Sequence, residues 1–502
     1  MLKERKLLRE EHVYYIGDKE YKRGEKNVLG WFYYDSYLGD LVVQVKDDPN
    51  QFYISEEEYY VTEFTSEASE SDYHSYSQTY GFEGTYIALN LNTINTTKYF
   101  GKVLSKDLYN YDELIEGIKN ILINYNLLTS EDEIKIDEKD YLQIILLNKK
   151  IDDNILSCIR ECLNYIRNYY DKLNVHITRM FGSYILLKNT NGNLTAVNAT
   201  PIPIKYCPLM IKLLKEIGGT TATKLINSLS ATSEEEQTKM MCELINNVVI
   251  KGGYFDTNRP LNSCEANVLF GASETMSSAF KTNMIDAAVI VSNNLGTIIT
   301  TNELNTQGAV KRMTGLFHTS PNKTIMQTAE ESGIIPVFPY TASIEQLEGV
   351  KRAISLGYKR IAVSVASYDN YLHEELTKLE KKHNVKIYKF GLCSTGIDEK
   401  TAIIMKNNAD VIWSCASKYV KEIIEPSAVA QVGIKIPVHI MTRQGWEIVR
   451  NHLEELNKQT NLKDINLQAG KEKPVVLHSQ NTLILKRKKD THKCNDCPNP
   501  CV

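Results

Sequence analysis

Near the end of the chain, Cys494, Cys497 and Cys501 read C-x2-C-x3-C, with His492 upstream and Pro498 and Pro500 between the later thiols. Three thiols so closely spaced can converge on one metal ion or on one face of an iron–sulfur cluster, because soft thiolates suit zinc and iron–sulfur chemistry. A fourth ligand would come from His492, from a distant cysteine such as Cys207 or Cys264, or from another subunit. The spacing reverses the C-x3-C-x2-C of radical enzymes and lacks the second CxxC of a zinc ribbon.

A different thiol chemistry is implied at Cys207 and Cys415. The first lies in IKYCPLM before the segment MIKLLKEI, and the second ends DVIWSC directly before SKYVKEII. A thiol at a helix N-terminus has its thiolate favoured by the helix dipole, so it becomes a better nucleophile or metal ligand. The competing reading is a small buried residue at a tight strand-to-helix junction. With Glu274 as acid or base, either thiol would serve an enzyme acting on a small anionic substrate. Spacing alone pairs no Ser or Cys with a His and an acid as a triad.

These side chains need a frame. Between residues 181 and 470, the strand-like segments AAVIVS, GTIITT, IIPVFPY, RIAVSVA, KIYKFG, DVIWSCA and PVHIMT alternate with the helical segments SIEQLEGVKRAISLG, YLHEELTKLEKKHN and DEKTAIIMKNNA. Such alternation predicts a doubly wound, mostly parallel α/β sheet over the C-terminal two-thirds. The β-branched density of IAVSVA and AAVIVS predicts central strands buried on both faces, with PVHIMT nearer an edge.

In open parallel sheets, ligands bind beyond the carboxyl ends of the strands, where helix N-termini offer free N–H groups. The residues expected there are Ser292, Asn293, Asn294 and Gly296 after AAVIV, Ser367 after IAVSVA, Cys393, Ser394, Thr395 and Gly396 after KIYKFG, Cys415, Ala416, Ser417 and Lys418 after DVIWS, and Thr442, Arg443 and Gly445 after PVHIM. QGAVKRMTG adds Gly308 and Arg312, which suit a phosphate or carboxylate. Each hydroxyl or amide also has a competing role as a helix cap, stabilising by about 1 kcal/mol. None of these loops reads GxGxxG or GxxxxGK[ST], so nucleotide binding is not expected.

Ahead of the α/β region, composition predicts a small β domain over 1–65, a polar linker over 66–81 and an α+β domain over 82–180. Residues 471–502 read as a β extension, a basic run from Lys486 to Lys489, and the cysteine tail. In the α+β region, Ile155, Cys158, Ile159, Cys162 and Ile166 fall on one helical stripe and read as core. A formal net charge of −4 gives no pull toward nucleic acid, and no stretch is apolar enough for a membrane span. A charged N-terminus, MLKERKLLREEH, argues for the cytoplasm, where the ten cysteines stay reduced.

Several ordered blocks resemble the methanogenesis marker protein 8 family. They are NGNLTAVNATPIPIKYCPL, VLFGASETMSSAFKTNMIDAAVIVSNNLGTIITTN, QGAVKRMTGLFHTSP, EGVKRAISLGYKRIAVSVAS, STGIDEKTA and ADVIWSCASKYVKE, spread over about residues 175–455. The resemblance implies an archaeal protein of an anaerobic cell, tied to the physiology of methyl-coenzyme M reductase. It carries over to Cys207, Gly271, Ser273, Glu274, Gly296, Thr297, Gln307, Gly308, Gly315, Thr395, Gly396 and Cys415. This chain departs from the family at SNNLGT, where a more acidic, glycine-rich loop is expected. The implied role is an accessory one, in maturation, modification or activation, through a bound metal, cofactor or methanogenesis partner. The alternatives are an interaction scaffold without chemistry, and the cysteine enzyme outlined above.

Overall fold

A computed structural model describes residues 58–69, 79–104, 108–128, 135–136, 141–203, 211, 214–216, 218–228, 233–265, 268–310, 315–366, 371–434, 437–479 and 481–490, with strand backbone at 2–6, 13–16, 19–22, 31–36 and 39–45. The chain divides into two units, Met1–Asn95 with Ser105–Tyr169, and Thr96–Leu104 with Tyr170–Val502.

In the first unit a seven-stranded antiparallel sheet runs in the order 2–6, 31–36, 39–45, 59–69, 79–90, 141–147, 135–136. Strands 59–69 and 79–90 pair along their whole length, from Tyr59↔Leu89 to Ser69↔Thr79. The polar stretch 66–81 therefore begins and ends in paired strands, while 70–78 lies outside the described residues. The helix Tyr111–Asn124 buries Leu114, Ile118, Ile121 and Leu122, the stripe its periodicity dictates, and Asn110 caps it by accepting from Glu113 N at 3.1 Å. Cys158 and Cys162 are buried on the core stripe of the helix Asp153–Leu173. A hydrogen bond with Cys158, reinforced by burial, pushes the Cys162 thiol well above its ordinary value, as suits a structural residue.

The second unit holds two sheets. Its strands are β1 (His176–Met180), β2 (Ser183–Thr190), β3 (Asn193–Ala199), β4 (Ala287–Ser292), β5 (Gly296–Thr300), β6 (Gly315–Thr319) and β7 (Ile335–Pro336). They continue as β8 (Arg360–Ala366), β9 (Lys386–Leu392), β10 (Val411–Trp413), β11 (Ala430–Val432), β12 (Val438–Ile440), β13 (Pro474–Ser479) and β14 (Thr482–Arg487). The small sheet runs β3-β2-β1-β6, and the ten-stranded sheet runs β7-β5-β4-β8-β9-β10-β12-β11-β13-β14.

The α/β fold is the one expected, with β4, β8, β9 and β10 as its parallel centre. The flanks are mixed: GTIIT forms β5, which returns antiparallel along β4. PVHIM, expected near an edge, forms β12 inside the sheet between β10 and β11. The reason is that 474–487 adds two further strands beyond β11, so Val438, His439 and Ile440 are buried.

Side-chain alternation builds a core on each face of the centre. Ala288, Ile290, Ala362, Tyr388, Phe390, Val411 and Trp413 face one layer, with α1 (Ala272–Lys281) and a later helix, Arg443–Leu456. Ala287, Val289, Ile361, Val363, Val365 and Ile387 face the other, with Gln346–Ser355 and Tyr371–His383. Helices on both faces make the sheet doubly wound.

Candidate functional site

The carboxyl ends of β4, β9 and β10 lie along one rim, and the small sheet packs against it. Val291, at the end of β4, shares a core with Leu316 of β6 and Ile185 and Leu187 of β2. Thr319 of β6 accepts from Asn294 N at 2.8 Å and bonds His176 Nδ1 at 2.7 Å, and His176 Nε2 reaches Asn174 Oδ1 at 2.7 Å. Asn294 Nδ2 donates to Ser320 O at 3.1 Å, and Asn293 Nδ2 donates to Tyr254 O at 2.5 Å. Arg259, 4% exposed, donates to Asp256 O, Ser292 Oγ and Asn293 O. Burial lowers this guanidinium to about 10, and it pushes His318 down to about 3 and His176 well below the ordinary range. SNNLGT is thus an interior turn in which the Asn293 and Asn294 side-chain N–H groups bond to the protein itself. Asn293 Oδ1 and Asn294 Oδ1 are buried without a hydrogen-bond partner.

Other residues expected to bind a ligand have visible local work. Gly296 sits at φ +64°, and a Cβ there would lie 2.2 Å from Ala342 O. Thr297 Oγ1 accepts from Glu345 N at 2.8 Å, just before the helix Gln346–Ser355. Gly308 passes so close to Leu261 that a Cβ would lie 2.1 Å from its carbonyl oxygen. Ser417 Oγ accepts from Val420 N and donates to Ile397 O, both at 3.5 Å.

The rim is accessible where β9 and β10 end. Cys415 is exposed and Cys393 half-buried. Ser394 ties the two loops by donating to Trp413 O at 2.8 Å and accepting from Cys415 N at 2.9 Å, and Gly396 N donates to Ala416 O at 2.8 Å. Arg179 of β1, which spacing did not single out, donates to Gly182 O, Cys393 O and Thr395 O and stacks on Tyr184, 4.9 Å from its ring centroid. No periodicity marks a lone arginine that bonds main-chain carbonyls.

Glu274 forms a separate cluster in the first turn of α1. Its carboxylate accepts from Ser273 Oγ at 2.9 Å, Val268 N at 3.2 Å and Gln307 Nε2 at 3.4 Å. Nearby, Ser278 Oγ and His452 Nδ1 lie 2.8 Å apart while His452 Nε2 faces Leu269 O at 2.8 Å. That order resembles a serine activated by an oriented base, yet the pair is packed between two helices and burial lowers the His452 pKa. A further buried network lies at the amino end of β10: Lys389 Nζ meets Glu380 Oε2 at 2.8 Å and Asp410 Oδ2 at 3.6 Å, and Thr442 Oγ1 donates to Asp410 Oδ1 at 2.6 Å.

Cys207, Arg312, Ser367 and the tail thiols Cys494, Cys497 and Cys501 lie outside the described residues. Among the described residues no three His, Cys, Asp or Glu side chains are grouped to hold a metal. Two open depressions, of about 610 Å³ along β14 and about 690 Å³ beside Asp286 and Arg360, stand apart from the thiol-bearing loops. No helix among the described residues is long and apolar enough to cross a membrane.

Fold and site together define a doubly wound α/β protein whose carboxyl rim is met by a second sheet, with Cys393 and Cys415 still partly accessible there. The chain belongs to the family described as an uncharacterized protein conserved in archaea (DUF2099), whose model matches residues 176–454. An uncharacterized protein of Methanocaldococcus jannaschii is 34% identical over 262 residues, covering 52% of this chain and 85% of the relative.

Proposed function

We propose that this protein is a cytoplasmic accessory factor of methane formation, aiding maturation, modification or activation of methyl-coenzyme M reductase by binding a metal, cofactor or protein partner. The observation that carries this reading is the division of the rim: Ser292, Asn293 and Asn294 are buried and donate internally, while Cys393, Thr395, Gly396 and Cys415 stay at least partly accessible. An accessible edge with thiols suits a partner surface or a metal more than an enclosed small substrate. The blocks resembling methanogenesis marker protein 8 and the relative from Methanocaldococcus jannaschii support the setting. The tail, C-x2-C-x3-C, supplies the ligands for zinc or an iron–sulfur cluster.

Anaerobic isolation, an ultraviolet–visible spectrum, counts of iron, nickel and zinc, and a pull-down from methanogen extract test it together. Metal that disappears when Cys494, Cys497 and Cys501 become serine, or retention of the reductase or its assembly proteins, is the expected result. A metal-free protein that retains no methanogenic partner removes the proposal. A reading as a cysteine enzyme has less behind it, because Glu274 is engaged by Val268, Ser273 and Gln307.

A further inference from the structure

Two of the thiols end neighbouring parallel strands. The register of β9 on β10 pairs Phe390 with Val411 and Gly391 with Ile412. Past that pairing both chains leave the strands but stay side by side, with Ser394 bonded to the main chain at Trp413 and Cys415. Neighbouring parallel strands lie about 4.8 Å apart, and disulfides join Cα atoms about 5.5–6 Å apart. Three hydrogen bonds hold the two loops together: Ser394 to Trp413, Cys415 to Ser394, and Gly396 to Ala416.

Cys393 also has φ +56°, whereas among the described residues nine of the other eleven non-glycine residues in this left-handed region are asparagines. A backbone turned that way takes the side chain out of the strand's alternation, and the Cys393 sulfur lies 3.4 Å from where a Cβ of Gly315 would be. Both thiols are partly accessible, whereas Cys158 and Cys162 are buried in the other unit.

We propose that Cys393 and Cys415 form a reversible intramolecular disulfide that fastens the two rim loops together. The Cys415 thiolate attacks a low-molecular-weight disulfide, forming a mixed disulfide and releasing one thiol. The Cys393 thiolate then attacks the Cys415 sulfur and releases the second thiol. The protein loses two electrons and two protons, the external disulfide gains them, and an external dithiol reverses the reaction. The bond does not depend on the accessory role, since a chain that binds neither metal nor partner can still form it.

The test uses the full chain, isolated reduced and without oxygen, treated with oxidised glutathione, trapped by an alkylating agent and mapped by mass spectrometry without reduction. The expected product has lost two hydrogens and yields one linked peptide pair containing Cys393 and Cys415. Cys393→Ser and Cys415→Ser each abolish it, and Cys264→Ser leaves it intact. A stable glutathione adduct on Cys415 with Cys393 still alkylated overturns the inference, as does a bond from either thiol to another cysteine. Because wild-type protein alone decides between these outcomes, a variant that fails to fold leaves the test standing.

Discussion

Burial decides which described thiols can react. Cys158 and Cys162 are closed off, burial pushes the Cys242 thiol up to about 11, and Cys415 is exposed at a strand end. Reduced native protein given iodoacetamide at neutral pH should therefore be labelled at Cys415 well before Cys158 and Cys162, as read by peptide mapping over time. Equal labelling of all three would contradict this account of accessibility. Charge is governed by the same physics at Lys389, which is 4% exposed between Glu380 and Asp410. Burial raises the Asp410 pKa, and the neighbouring ammonium opposes that rise. Removing the cation with Lys389→Ala leaves the buried Asp410 carboxylate without its ammonium beside a half-buried Glu380, which should cost about 3–5 kcal/mol of stability in denaturant titrations. Lys389→Ala combined with Asp410→Asn should recover part of that loss.

At the scale of elements, the roles of the rim residues follow from how closely strands, turns and helices approach. Gly308 lies in the helix Glu303–Val310, where its missing Cβ lets Leu261 come close. Gly308→Ala should destabilise the protein by about 1–3 kcal/mol through overpacking, seen as a lower urea midpoint with an unchanged slope. An unaltered midpoint would mean that the 254–263 segment moves aside without penalty. Ser417 accepts from the amide of Val420 at the start of the next helix, as the capping alternative expects, whereas Thr297 lies in β5 and instead ties down the amide of Glu345 in a distant segment.

For the whole molecule, acid sensitivity follows from histidines kept neutral inside the second unit. Burial lowers His318, His373 and His439 each to about 3, and both His373 ring nitrogens and His439 Nδ1 are without hydrogen-bond partners. The unfolded chain titrates these rings near pH 6.5 and so takes up protons that the folded state refuses. Their stabilising contribution is complete above about pH 6.5 and is lost as pH falls toward 3, with a slope of about 4 kcal/mol per pH unit from the three together. Asp286, held down by Arg360, and Asp398, held down by Thr401, extend the loss to lower pH. Guanidinium midpoints measured from pH 7 to pH 4 should fall steeply, and a flat profile would mean that these rings reach water in the folded state.

Local pattern determined a good deal of this protein. Alternation of strands and helices announced the α/β fold, β-branched runs marked β4 and β8 as buried centre, and helical spacing placed Cys158 and Cys162 in a core. Those features are local because periodicity and side-chain shape act within a few residues. Tertiary structure decided the rest, because pairing between distant segments leaves no periodic trace. It returned β5 antiparallel along β4, moved β12 inside the sheet, and laid β1 and β6 against the rim so that Asn293 and Asn294 became interior groups. It also drew Arg259 and Lys389 into buried networks, a placement that depends on which backbones surround a charge and not on the residues beside it in the chain.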